Sequence, residues 1–418
     1  MSAPDGEVNN VDQIPAEQKG AFHSFLKSLT SFSGDLSALT CPAFLLAPVS
    51  LIEYSEYWTQ QPELFAAIPQ SEDAVERMVA FVKWYISSLN ASYSSRVPKG
   101  EWEKKPYNPV LGEQFFMQWG QVDGCGETDV VCEQVSHHPP ITGFCIKNEK
   151  AGLTMNGHTG QKTRFSTTSL ICDQVGQSVV ELASEEAYLL TSPSLTVNGI
   201  WYAAPYVELI GNSYIQATTG LYATFEFSSK GWISGERNHF KCYIRKNSSG
   251  SSKDYVYKIE GQWSNKSTIT AYGSKKSEPF LDVTALTPAP MEVKGNNGDM
   301  ESRKIWEHVS EAIRQGDTNK AGMEKSKIEN QKRAELAERE QNKTEWKPKY
   351  FNWEDPNGKV QSLQKMLASA VKNKYEPATA GNWVYHPPTE QSDHQHLGIG
   401  SVSHVYHTLP LLVERVLG

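Results

Sequence analysis

The chain has 418 residues, 39% hydrophobic and 21% charged, enough apolar material to fold as one large domain or two smaller ones. Its formal net charge of −8 argues against sequence-independent binding to nucleic acid, so any contact with phosphate must come from a local cluster of Lys, Arg and His. No run approaches the ~18–20 apolar residues of a membrane span, and the six cysteines (Cys41, Cys125, Cys132, Cys145, Cys172, Cys242) contain no Cys-x-x-Cys pair, which reads as free thiols in a reducing compartment.

Residues 1–19 are polar and acidic, lack an apolar signal core, and are expected to be disordered. Between 20 and 40, Phe22, Phe25, Leu26, Leu29 and Phe32 recur at helical spacing opposite a face of Ser and Thr, and Gly34-Asp35 ends the pattern. Such a helix can lie on a membrane surface, plug an apolar opening, or simply pack on a core. Residues 41–110 read as an N-terminal helical segment, with helices over 50–66 and 72–92; Ser71 offers an N-cap, and Met78, Phe81, Val82, Tyr85 and Leu89 form one apolar face.

From 111 to 284 the pattern becomes that of strands. Phe240–Arg245 alternates apolar with polar, and Leu221–Phe227 and Tyr255–Ile259 are also strand-like. Asp123-Gly124, Asn156-Gly157, Asn198-Gly199 and Gly211-Asn212 read as turns between them. Many short strands predict a large antiparallel barrel or a sandwich, and in a barrel around an apolar ligand both sheet faces can be apolar. Residues 285–300 read as a linker opening a C-terminal helical segment (285–380), whose charged stretch 301–345 forms helices divided near Gly316-Asp317; 381–418 fit no element. The fold class is therefore α+β, mainly β.

Three groups of polar residues carry candidate chemistry. His137 and His138 can donate to a phosphate, or sit as satisfied polar histidines; no third ligand stands at zinc spacing, so no metal site is expected. Lys325, Glu329 and Arg333 share one helix face, as a phosphate clamp or as a solvated ion-pair stripe. Lys105 and Asn108 lie in a Pro-rich loop leading into the first barrel strand, where Glu113 is expected to make a structural salt bridge. Ser136 beside His137 lacks the base, orienting partner and oxyanion site of a nucleophile, and no elbow, phosphatase loop or metal motif appears, so an enzyme is not expected.

The word Glu133-Gln134-Val135-Ser136-His137-His138-Pro139-Pro140 resembles the EQVSHHPP pattern of the oxysterol-binding-protein-related family. Lys105-Pro106-Tyr107-Asn108-Pro109-Val110-Leu111-Gly112-Glu113 is similar to its KPxNPxLGE segment, and Lys325, Glu329 and Arg333 to its downstream helix. Phe25–Ser28 with Gly34–Ser37 resembles the lid of its short members. The resemblance spans about residues 20–380 and implies a barrel around a hydrophobic tunnel with an N-terminal lid, without pleckstrin-homology or ankyrin extensions.

The resemblance further implies two competing ligands and no cofactor. One is a sterol, held at the tunnel bottom by Trp58, Ser92, Tyr93, Thr159 and Gln174, with Ser92 and Thr159 replacing longer amides of sterol-binding relatives. The other is phosphatidylinositol 4-phosphate, whose headgroup would meet Lys105, Asn108, His137, His138, Lys325, Glu329 and Arg333, with Leu36 and Ser37 of the closed lid. Phe22, Phe25, Leu26, Leu29, Phe32, Leu36 and Leu39 would be the lid's apolar residues. It implies a monomeric, cytoplasmic exchanger, peripheral on Golgi, endoplasmic-reticulum or related membranes. A lipid sensor without net transport, or transfer of another lipid such as phosphatidylserine, would use the same parts.

Overall fold

The computed structural model describes residues 10–11, 14, 16–31, 41–120, 122–137, 139–166, 169–229, 236–246, 255–295, 298–372, 375, 377 and 380–388. The chain divides into a unit over Met1–His386 and a second over Pro387–Gly418, of which only residues 387–388 are described.

Of the stretch 1–19 expected to be disordered, most lies outside the described residues, and its last four residues are helical. Helix α1 begins at Ala16 and runs to Ser31. Before it, Ile14 is buried and the Asn10 N–H donates to the Tyr202 carbonyl (2.8 Å). The segment expected to be helical over 50–66 is broken. Strand β1 (Leu46–Ser50) leads into a 3₁₀ stretch, Leu51–Tyr57, and the short α2 (Pro62–Ala66) restarts the helix with proline at its first turn, where its missing N–H costs nothing. Helix α3 (Ala74–Asn90) continues into a π turn, Ala91–Ser95. Its N-cap is Asp73, not Ser71: the Asp73 carboxylate accepts from Val75 N (2.6 Å) and Glu76 N (3.3 Å), while Ser71 Oγ supports Asp73 N.

Strand β2 (Lys105–Tyr107) pairs with β1 in parallel, so Lys105 opens a strand rather than standing in a loop. The main sheet has fourteen strands among the described residues and forms the antiparallel barrel. Its order follows the chain closely: β3 (Gln114–Trp119), β4 (Thr128–His137), β5 (Pro140–Asn148), β6 (Leu153–Ser166), β7 (Ser169–Leu182) and β8 (Ala187–Leu190). β10 (Tyr206–Ala217), β11 (Leu221–Ser228), β12 (His239–Lys246), β13 (Tyr257–Gln262), β14 (Lys266–Ala271) and β15 (Glu278–Asp282) continue it. β9 (Ser194–Asn198) pairs with both β7 and β10. The expected linker 285–300 contributes β16 (Met291–Val293), which adds to the free side of β3.

Two expected turns lie inside strands. Asn156-Gly157 is in the middle of β6, because Gly157 gives Phe144 and the Gln177 carbonyl room that a Cβ would fill at 2.7 and 2.8 Å. Gly211-Asn212 is inside β10, where Gly211 (φ +76) bends the strand as its pairing passes from β9 to β11.

Helix α3 is enclosed by the concave face of the sheet. Phe81 meets Tyr188, and Tyr85 meets Phe225, both at 5.1 Å between ring centroids. The Tyr85 hydroxyl bonds Ser213 Oγ (2.9 Å), which satisfies the one polar atom of that buried ring. The outer face is apolar too, for a reason the strand pattern does not reveal: it carries further chain. Helix α7 (Gly358–Ala370) packs Val360, Leu363 and Leu367 against Val179, Leu189 and Tyr222. A ribbon of β17 (Phe351–Glu354) and β18 (Asn382–Tyr385) covers Val135 and Cys145. β18 thus gives structure to the start of the stretch in which no element was expected. Along the chain between β16 and β17 come α4 (Ser302–Ile305), α5 (Glu307–Arg314) and the 25-residue α6 (Thr318–Asn342), divided at Gly316-Asp317 as the sequence predicts.

Candidate functional site

The cationic part of the site is assembled from three chain segments. Lys105 donates from Nζ to Asn108 Oδ1 (2.8 Å), a bond made possible by the Pro106 and Pro109 kinks that fold the segment back on itself. Burial lowers the Lys105 pKa; the thiol of Cys41 opposes that shift, the charge of Lys325 adds to it, and Glu329 opposes it. These groups therefore share one electrostatic neighbourhood. On α6, Lys325 and Arg333 both pair with Glu329, whose carboxylate lies between them as the one-turn spacing requires. Arg333 is otherwise exposed, with its Nε on the Glu329 carbonyl (3.2 Å), so its fork can swing to a ligand.

Cys41 belongs to this neighbourhood and was not singled out from the sequence, where a lone cysteine carries no pattern. Burial pushes its thiol up to about 11, against the pull of Lys105 and Lys325. It also ties the site to α1, since Phe25 packs into the cluster of Cys41, Leu46, Tyr107 and Trp306.

His137 ends β4 opposite Pro140 and is exposed. His138 lies outside the described residues, as do Phe32, Leu36, Ser37 and Leu39. The motif containing the histidines is joined to the Lys105 segment by backbone. Gly112 N donates to the Gln134 carbonyl (2.9 Å) and Gln134 N to the Glu113 carbonyl (2.8 Å). Gly112 (φ +80) faces Met300 and Trp346, placing the turn against the segments before and after α6.

Two acidic residues of the motifs support the site rather than touching a ligand. Glu113 is fully buried, and the expected salt bridge is absent among the described residues. Its carboxylate instead accepts from neutral donors: Val110 N (2.8 Å), Trp306 Nε1 (3.0 Å) and Ser302 Oγ (2.7 Å). Burial raises its pKa to about 7. Glu133, also raised to about 7 by burial, accepts from the backbone N–H groups of Lys349 and Tyr350, both at 2.8 Å. A carboxylate at that position anchors β4 to the chain beyond α6. The structural duty of Glu133 was not read from the sequence because its partners are main-chain groups more than 200 residues away.

Of the residues assigned to a sterol, two are bonded to each other. Tyr93 Oη donates to Gln174 Oε1 (3.2 Å), and Gln174 Nε2 donates to the Pro193 carbonyl (2.8 Å), which fixes the orientation of the amide. Burial raises the Tyr93 pKa, so its hydroxyl stays protonated as a donor. Ser92 is buried on the same π turn, its carbonyl held by Arg96 Nε. Thr159 pairs with Gly176 across the β6–β7 ladder, diagonal to Gln174. Trp58 meets Phe144 of β5 edge-on (4.5 Å), so it is placed by packing rather than by a polar contact.

Helix α1, the expected lid, sits with Phe22, Leu26 and Leu29 buried against Ile200, beside Phe165 and Leu170 at the ends of β6 and β7. Phe25 is partly buried, and Gln18 Nε2 reaches Thr318 Oγ1 at the start of α6 (3.4 Å).

A helix laid across a barrel's strand ends beside a cationic cluster defines a lipid-binding barrel with one end covered. The chain belongs to the oxysterol-binding protein family, whose model matches residues 22–312. Protein KES1 of Mycosarcoma maydis is 42% identical over 339 residues, 78% of this chain and 86% of that one. Among solved structures, the Osh1 ORD domain in complex with cholesterol aligns with a TM-score of 0.64 at 19% identity, over 87% of this chain and 86% of that one. The Osh3 ORD from Saccharomyces cerevisiae in complex with PI(4)P aligns with a TM-score of 0.61 at 20% identity, over 84% and 93%. Both share the fold.

Proposed function

We propose that this protein moves lipids one at a time between membranes, carrying a sterol in the barrel and exchanging it for phosphatidylinositol 4-phosphate. The observation that carries this reading is Lys105. A partly buried ammonium beside a second cation is costly, and a phosphate monoester relieves that cost through charge-assisted bonds. Family membership supports it, as do the sterol and the phosphoinositide held by the two solved relatives. Tyr93 and Gln174 offer a preset hydroxyl and amide for the sterol's polar end, with water as a bridge where Ser92 and Thr159 are short. Burying the apolar body of the cargo supplies the affinity, at ~25 cal/mol per Å². Because both lipids would place apolar chains in one cavity, binding of either expels the other.

No described helix is long and apolar enough to cross a membrane. The protein would act at the cytoplasmic faces of Golgi and endoplasmic-reticulum membranes, docking through the surface that α1 uncovers when it lifts.

Vesicle transfer with labelled lipids tests the exchange. Wild-type protein should carry sterol down an opposing phosphoinositide gradient, and His137→Ala with His138→Ala should abolish phosphoinositide extraction while sparing sterol. Phosphoinositide extraction by the double variant at the wild-type level would remove both histidines from the headgroup site. Removing residues 1–38 should slow transfer severalfold and leave bound sterol accessible to an aqueous quencher; unchanged rates and protection would exclude the lid role.

A further inference from the structure

A cavity of about 270 Å³ opens between the chain after α3, the segment 199–207 and the two residues before β12; Tyr93, assigned above to the sterol, stands in its lining, so it borders the cargo space. Trp102, Tyr206, Val97 and Pro98 give it flat apolar walls. Two of its polar groups are unused. The Arg237 guanidinium lies over the Tyr206 ring (4.1 Å to the centroid), and among the described residues no acceptor is paired with it. Next to it, Asn238 sits at φ +60 with its Nδ2 on Ser264 Oγ (2.9 Å), while its Oδ1 is buried without a hydrogen-bond partner.

A buried acceptor without a donor and a stacked guanidinium without an anion are both costly, and one ligand can relieve both. The carboxylates at the rim do not reverse the sign of the site. Glu103 is already neutralised by Arg96 (2.6 Å), and Glu101 is exposed and screened. We propose that this cavity binds a small organic anion with a flat body and a hydroxyl group: the anion on Arg237, the hydroxyl on Asn238 Oδ1, the body between Trp102 and Tyr206. The volume is at the small end for ligand sites and fits a single-ring molecule.

The place of the cavity gives it a consequence. Gly199 and Ala204 line it, and they bracket the turn on which the lid rests. The carbonyl of Tyr202 accepts from Asn10, and Ile200 packs with Ile14, Phe22, Leu26 and Leu29. Glu103 N donates to Pro205 O (2.9 Å), closing the cavity floor onto the same turn. A ligand that fills the space behind this turn stiffens the lid's seat, so it acts as an effector that holds the lid shut. This effector role rests on the lid-and-cargo reading above; the binding itself does not.

The probe is 4-hydroxybenzoate, followed by ligand-observed NMR on the full chain. Saturable binding is expected, weakened at least tenfold by Arg237→Ala and partly restored by Arg237→Lys. Loss of the hydroxyl, in 4-methylbenzoate, should weaken binding to wild type but not to Asn238→Gly, which keeps the backbone angle. No saturable binding, binding indifferent to Arg237→Ala, or preference for the cation tyramine would overturn the site. Bound probe should also slow release of a fluorescent sterol from wild type and not from Arg237→Ala; binding with unaltered release would overturn the effector role. Arg237→Ala should extract sterol normally without probe, and failure of wild type to extract sterol would count against the transport reading, not against this site.

Discussion

Lys105→Ala should reduce extraction of phosphatidylinositol 4-phosphate from liposomes by about tenfold to a hundredfold while leaving sterol extraction within twofold. The range follows from one charge-assisted hydrogen bond, ~1.5–3 kcal/mol, at about 1.4 kcal/mol per tenfold. Lys105 is the member of the cluster whose charge suffers most from burial, and among the described residues its ammonium meets the neutral Asn108 side chain and a backbone carbonyl. Lys325, by contrast, is already balanced by Glu329, so its loss should weaken binding less.

The sign with pH follows from the same groups. Burial lowers the Lys105 pKa below that of a free lysine, so its proton is lost earlier as pH rises. A bound phosphate favours the charged form, so binding takes up protons there, and affinity should fall as pH rises through the depressed pKa. Phosphoinositide extraction should decline on the alkaline side before sterol extraction does. Equal loss of both lipids in Lys105→Ala, or a flat alkaline limb in wild type, would take the ammonium out of the headgroup site.

How much of this was legible in the sequence depends on how far apart the cooperating residues are. Lys325, Glu329 and Arg333 announce their shared face because a helix repeats every 3.6 residues, and the ion pairs follow. The Gly316-Asp317 break and the apolar face of α3 were equally local. The failures are tertiary. Asn156-Gly157 has turn chemistry, yet Gly157 is there for the approach of Phe144, and Asn156 spends its side chain on Tyr385 N (3.0 Å). The outer face of β7 and β10 is apolar because α7 lies on it, which no period in those strands can report. Glu133 is read from the sequence only as the first residue of the motif word, with no role given, and it holds two amides of a remote segment.

The two buried glutamates give the sharpest contrast in stability. Replacing Glu113 by Ala leaves Val110 N–H and the Trp306 indole N–H buried without acceptors, at ~1–3 kcal/mol each. Glu113→Ala should therefore lose about 2–5 kcal/mol of unfolding free energy. Glu113→Gln should behave quite differently. The amide oxygen can take the place of the carboxylate oxygen shared by Val110 and Trp306. The amide nitrogen can then donate to Ser302 Oγ, whose own proton turns to Glu53 Oε1 at 3.3 Å. Val110, Trp306 and Ser302 keep partners and the buried charge is gone.

The pH dependence gives the sign. A glutamate raised from 4.5 to about 7 binds more protons folded than unfolded between those values, so its contribution to stability falls as pH rises through that window. At about 1.4 kcal/mol per unit, the charged form costs roughly 3 kcal/mol above pH 7. Glu113→Gln escapes that cost, so urea denaturation at pH 8 should find it at least as stable as wild type, with the advantage vanishing near pH 5. Glu133→Gln has no such rearrangement available. Both of its oxygens face backbone N–H groups, and an amide nitrogen would set donor against donor. That variant orphans a backbone amide, at about 1–3 kcal/mol, and because wild-type Glu133 is itself raised to about 7, its net loss should be smaller at pH 8 than near pH 5. Should the two Gln variants prove equally damaging at pH 8, neutral-donor anchoring of Glu113 would be wrong, and with it the claim that these motif acids build the site instead of binding its ligand.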